Sequence, residues 1–251
     1  MVEVIRAVLR RIIWYKVLRS MLQRWPTILL FLGCALSSCH AQVSQFLPEV
    51  DTYVGLTDHT QFWFQAKETR EDQAPTQAEI GPSFDFFLKP IVKLSNATLF
   101  DLDQSKQRLF VVSLGFRSLP SPGNPTENRI LMMGTFNLPL RGKILLADRN
   151  RVEVNFTNGD ATWRYRNRVT LQRTITVHSY HPSLNASAEC FYNSRYDKWS
   201  TTALYAGAIF PIRSKVELNP YYEHQNSTGR APNQQINALG VILNLFFRNH
   251  E

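Results

Sequence analysis

The stretch Leu239-Gly240-Val241-Ile242-Leu243-Asn244-Leu245-Phe246-Phe247 sets an apolar side chain at every second position, at Leu239, Val241, Leu243, Leu245 and Phe247, without a miss. Successive side chains of an extended strand point to opposite faces, so a period of two means a strand with one apolar face. The same period runs back through the chain to Thr60. It predicts strands over residues 60–68, 77–89, 108–119, 128–138, 144–156, 162–177, 184–192, 201–210, 215–226 and 236–247. Turn chemistry separates them: Asn158-Gly159 suits a tight hairpin, and Pro120, Pro122, Gly123 and Pro125 mark a longer loop. No helical period competes in this region.

The two faces differ in kind. Residues 162–177 set Trp163, Tyr165, Val169 and Leu171 against Arg164, Arg166, Arg168, Thr170, Gln172 and Thr174. Residues 151–156 set Val152, Val154 and Phe156 against Arg151, Glu153 and Asn155. A soluble barrel would put the apolar face inside, and a membrane barrel would put it outside, around a polar lumen. Alternation by itself fits both. Three features favour the membrane form. The strands suit the ~9–11 residues of a tilted crossing better than the ~5–6 of a typical globular strand. Aromatic residues gather near strand ends, as at Phe62-Trp63-Phe64, Phe191-Tyr192 and Phe246-Phe247, as interfacial girdles do. The final stretch resembles the C-terminal assembly signal of outer-membrane proteins, with the departure that Arg248-Asn249-His250-Glu251 follow the last aromatic.

The expectation is an all-β, antiparallel, up-and-down transmembrane barrel of ten strands. Twelve is the alternative if residues 91–100 hide a further hairpin. An even count places both barrel termini on the periplasmic side. Residues 42–59 are expected as a periplasmic segment ahead of a barrel spanning 60–247, with 248–251 as a tail.

The chain has 251 residues and a formal charge of +8, unevenly spread. Residues 1–41 hold six of the 28 basic residues and one of the 20 acidic ones, which leaves 22 and 19, a surplus of three. The basic stretch leads into apolar residues 28–36 and then Cys39-His40-Ala41, the outline of a secretory signal. Its compact form begins at Met21. Cleavage after Ala41 competes with lipidation at Cys39, because Leu36-Ser37-Ser38-Cys39 resembles a lipobox. Cys190 is the one cysteine beyond this region, so no disulfide pair is expected there. The small remaining surplus disfavours a nucleic-acid partner. The partners expected are outer-membrane lipid and, through the last strand, the outer-membrane assembly machinery.

Four stretches resemble the DUF2490 family of uncharacterised bacterial proteins: residues 47–53 (LPEVDTY), 164–168 (RYRNR), 190–199 (CFYNSRYDKW), and 237–240 (NALG) leading to 244–247 (NLFF). The resemblance implies an outer-membrane barrel. It brings no activity, substrate or catalytic residue.

The candidate site is a ladder of charges facing a narrow lumen: Arg151, Glu153, Arg164, Arg166, Arg168, Glu189, Glu217 and Glu223. It could rigidify a filled barrel, or favour anions as charged rings do in pores. Arg195, Tyr196, Asp197 and Trp199 form an expected extracellular loop, either self-packed through an Arg195–Asp197 pair or open to a polar ligand. His178, Ser179, His181 and Ser183 cluster at an expected turn and raise a hydrolase as an alternative. A soluble or lipid-anchored barrel binding an apolar ligand is the other alternative. In it Leu239, Val241, Leu243 and Leu245 would point inward. The leading expectation is no enzyme, no cofactor and no metal site.

Overall fold

The computed structural model describes residues 43–88, 102–229 and 233–248. The signal region, the hairpin considered within 91–100 and the tail after Arg248 lie outside the described residues.

Eleven strands close into one barrel. They are β1 (Val43–Thr57), β2 (Thr60–Glu71), β3 (Ala74–Phe87), β4 (Phe110–Ser121), β5 (Asn124–Leu140), β6 (Ile144–Thr157), β7 (Asp160–Thr174), β8 (Ser183–Asn193), β9 (Lys198–Arg213), β10 (Val216–Ser227) and β11 (Gln234–Arg248). Neighbours in sequence pair antiparallel all round the ring. The closing pair, β1 with β11, is parallel, with Val43 beside Ile236 and Gly55 beside Arg248.

All ten expected strands occur. The correction is β1. Residues 42–59, expected ahead of the barrel, supply its first strand, because Phe46, Val50 and Leu56 alternate with Gln45, Leu47, Glu49 and Asp51. The count is therefore eleven rather than ten or twelve. An odd count sets the two barrel termini at opposite rims rather than on one side. Call the rim where β1 begins the first and the rim where β11 ends the second.

At the first rim, Asn158 and Gly159 take φ of 52° and 87°, the left-handed pair that a two-residue hairpin needs. Asp72-Gln73 form an equally tight turn, with φ of 47° and 69°. The second rim carries the longest connection, between β3 and β4. Its described part includes a short 3-10 turn at Gln104–Gln107 that folds back over the barrel mouth.

The structure also decides which face is inside. Leu239 is 62% exposed and Leu204 59%, whereas Arg117 and Glu153 are 0% exposed. A soluble protein buries its apolar residues and leaves its charges in water. Here an apolar belt of Phe, Leu, Ile and Met surrounds a polar interior. The inverted form considered above, with Leu239, Val241, Leu243 and Leu245 inward, is not adopted, since their even-numbered neighbours Ile242 and Asn244 line the lumen. Polar clusters interrupt the belt at Tyr222, His224 and Asn237 and, in mid-strand, on β6 and β7. Asn167 donates to Asp148 Oδ1 at 2.7 Å and to Asn150 Oδ1 at 3.1 Å, and Tyr165 donates its hydroxyl to Asn150 at 2.5 Å.

Beside the seam, Tyr221 of β10 lies across from Gly240 of β11 and Gly207 of β9. Its ring occupies the space that a Cβ on Gly240 would need. Gly240→Ala is expected to cost about 1–3 kcal/mol through overpacking, read as a lower thermal midpoint of the β-sheet circular dichroism signal in detergent. Gly55→Ala, where a Cβ meets nothing nearer than 3.9 Å, should leave that midpoint close to wild type.

Candidate functional site

The ladder assembles on β6, β7 and β8. Register makes it necessary. Arg151 lies directly opposite Arg166, and Arg149 opposite Arg168, and like charges opposed across a strand pair repel. Two glutamates resolve the conflict. Glu153 takes Arg151 Nε at 2.6 Å, Arg164 Nη2 at 2.5 Å and Arg166 Nη1 at 3.2 Å. Glu189 takes Arg166 Nη2 at 3.0 Å, Arg168 Nη2 at 2.5 Å and the Tyr205 hydroxyl at 3.0 Å. Arg166 bridges the two carboxylates and stands 4.4 Å over the Phe191 ring, while Arg168 stands 4.0 Å over Tyr205. Both contacts fall within cation–π range. Charge pairing of this density in a buried setting holds only when each carboxylate is saturated with donors.

The other two glutamates of the expected ladder stand apart from it. Glu223 lines the lumen on β10. Glu217 is buried near the second rim, where it accepts the backbone N–H of Leu102 at 2.8 Å. Through that bond it fastens the β3–β4 connection. Asn137 fastens the same connection, donating to the carbonyls of Ser105 at 3.0 Å and Arg108 at 2.9 Å.

Several lumen charges were not singled out from the sequence. Glu49 and Asp51 come from β1, Lys67 from β2, and Glu79 and Asp85 from β3. Arg117 on β4 donates to Gln65 Oε1, Pro82 O, Ser83 Oγ and Phe116 O at 2.8–2.9 Å and lies 4.6 Å over the Trp63 ring. Gln65 in turn donates to Glu49. Arg129 on β5 pairs with Glu127 at 2.7 Å. The alternation that exposed the arginine face of β7 was present in each of these strands.

These side chains enclose a cavity of about 570 Å³. Arg149, Arg151, Arg164, Arg166 and Arg168 line it from β6 and β7, while Glu153 and Glu189 lie behind them. Arg149 is the least engaged, with a single ion pair to Glu189 at 3.5 Å and 29% of its side chain exposed. Asp103, Ser105 and Lys106 of the β3–β4 connection reach the cavity from the second rim. Chemically, this is a polar recess whose β6–β7 side presents five guanidinium groups held by two carboxylates.

The β8–β9 turn packs on itself. Asp197 accepts the Tyr192 hydroxyl instead of pairing with Arg195, and the Arg195 backbone N–H donates to Asn193 Oδ1 at 2.9 Å. The Tyr192 ring stacks on Trp163 at 5.3 Å and meets Trp199 edge-on at 5.9 Å. The Tyr196 ring sits against Gly229 of the β10–β11 loop. Ser183, the first residue of β8, shares a 2.9 Å hydrogen bond with Thr174, the last of β7, and in the connection between them His178 takes a φ of 59°.

A model of the family described as a protein of unknown function, DUF2490, matches residues 54–236. The chain belongs to the DUF2490 family. Within this DUF2490 chain, the match covers the arginine strand and the residues 190–199 that carried the resemblance. It stops short of the stretches on β1 and β11, which form the parallel seam. No curated protein matches the chain.

Glu189→Gln removes a carboxylate that three arginines share. It is expected to destabilise the barrel by about 3–5 kcal/mol, read as a lower denaturant midpoint. Adding Arg168→Gln should recover part of that loss, because one fewer cation is then left unpaired.

Proposed function

We propose that this DUF2490 protein is an outer-membrane β-barrel that holds small anionic solutes in its lumen, on a narrow route for them across the wall. The observation that carries the proposal is the pairing of an apolar outer belt with a cavity lined by six arginines, five of them on β6 and β7. Backbone groups within lipid need internal partners, and a closed barrel supplies them. The outward aromatic groups Trp163, Tyr192 and Trp199 near the first rim suit a membrane interface. The basic and apolar residues of 1–41 suit export.

The dimensions support a narrow route. Eleven strands spaced ~4.8 Å apart and tilted ~40° enclose a backbone diameter of about 22 Å. Long arginine side chains fill much of that width, and the β3–β4 connection partly covers the second rim. Barrels of ~8 strands are filled by side chains, and those of 16 or more carry open channels. A solute in this lumen therefore meets the arginines directly. In this reading the outward alternation of Leu239, Val241, Leu243, Leu245 and Phe247 serves barrel assembly.

After fractionation of cells making the full-length protein, it is expected in membranes washed with sodium carbonate. Its unheated gel band should migrate differently from the boiled one. Recovery in the soluble periplasmic fraction would overturn the proposal.

In planar bilayers the purified barrel should pass chloride in preference to potassium, seen as a reversal potential in a salt gradient. Arg149→Gln should weaken that preference while leaving the heat-modifiable band in place, since Arg149 has the weakest ties to the glutamates. A cation preference in the wild-type barrel would count against an anion route.

A further inference from the structure

The arginine wall is half of the cavity. In a ring of eleven strands, the strands farthest from β1 are β6 and β7, five steps away in either direction. Those antipodal strands carry the arginines. On the near side the cavity is lined by Glu49 and Asp51 of β1 and by Glu79 and Asp85 of β3, with Lys67 of β2 as the sole cation of these three strands at its surface. The lumen is therefore polarised across its width, acidic at β1–β3 and basic at β6–β7.

Most of the acidic side is already engaged. Glu49 accepts from Gln65 and lies 3.9 Å from Lys67. Glu79 lies 3.8 Å from Arg117, 3.6 Å from Arg129 and 3.8 Å from Arg151. Asp85 accepts the Trp63 indole N–H at 3.1 Å. Asp51 is different. It is 6% exposed and lines the cavity beside the Glu49 carboxyl and within reach of the Arg117 charge, its Oδ2 takes a long 3.3 Å bond from Tyr53, and its Oδ1 takes no N–H donor among the described residues. A buried carboxylate oxygen without a donor is costly. A bound donor would remove that cost. Among the described residues no three His, Cys, Asp or Glu side chains converge to hold a metal ion. The donor that fits is an N–H cation, which can supply a charged hydrogen bond to one carboxylate without a full coordination shell.

We propose that the cavity takes a dipolar solute, with its ammonium group on Asp51 and its carboxylate or phosphate on the arginines of β6 and β7. This rests on the reading of the lumen as an anion site and adds the cationic half of the ligand. The walls meet where Glu79 reaches Arg151; elsewhere they stand apart and set the ligand's orientation, and the distance from Asp51 to the arginines sets its length. Asp51 is short and the arginines are long, so the gap inside a ~22 Å backbone diameter is on the order of 10 Å, about the span of an extended tripeptide.

The test uses the full barrel, purified in detergent, with triglycine and N-acetyltriglycine as calorimetric probes. The two share the tripeptide backbone and carboxylate, and acetylation replaces the ammonium charge with a neutral amide one acetyl group longer, a difference in size that the Asp51→Asn variant controls for. Triglycine is expected to bind roughly tenfold or more tightly than its acetylated form, the range of a hydrogen bond to a charged group. Asp51→Asn should abolish that preference while leaving N-acetyltriglycine binding unchanged, with the heat-modifiable band showing that the variant is folded. The wild-type comparison stands even if that variant fails to fold. Equal binding of the two probes would overturn the dipolar ligand and leave the anion site standing. An equal loss of both probes in a folded Asp51→Asn would make Asp51 a structural group and overturn the assignment. Binding of neither probe would overturn the dipolar ligand and the anion site together.

Discussion

Two buried glutamates hold the arginine wall together. Without Glu153 and Glu189, register would set Arg151 against Arg166 and Arg149 against Arg168 with nothing between them. With them, β6, β7 and β8 lock into one stiff panel whose charged surface is fixed in space. Buried ion pairs seldom add net stability compared with apolar packing. Their value here lies in position. A barrel with apolar residues in those places would be filled and inert, whereas this one keeps guanidinium groups at the edge of an open recess.

The polar interior and the apolar exterior are two sides of one constraint. Alternation forces every residue beside an inward charge to face out. A strand such as β7, inward with Arg164, Arg166 and Arg168, must therefore find a place for Trp163, Val169 and Leu171 on the outer surface. The exterior tolerates little polarity, and the Asp148–Asn150–Asn167 island meets that limit by bonding within itself. Tyr221 plays the matching role inside. Its ring lies against Gly240 and its Cβ against Gly207, where larger residues would collide with it.

Local pattern made most of the fold legible. Ten strands, the Asn158-Gly159 turn and the arginine face of β7 follow from periods of two and from turn chemistry, both of which act over a few neighbouring residues. The first strand was obscured because Pro48 and Thr52 dilute its outward apolar face and Leu47 interrupts its inward polar one. The acidic wall was harder still. Glu49, Asp51, Glu79 and Asp85 come from strands whose position opposite β6 and β7 depends on closure of the ring, a pairing between residues almost two hundred positions apart in sequence. No local window contains it. Glu217 shows the converse. Its placement on an inward face was legible, but its partner at Leu102 depends on how a long connection folds back.

The parallel seam has a consequence for the order of events in folding. Ten of the pairs join strands adjacent in sequence, so each needs only the strand before it. The seam is different. One edge of β1 stays unpaired until Gln234 and the residues after it exist, and an open strand edge is a template for any other extended chain nearby. The first strand made is thus the last to be fully sheltered, and the interval between the two is when the protein is most exposed to pairing with a neighbour instead of with itself.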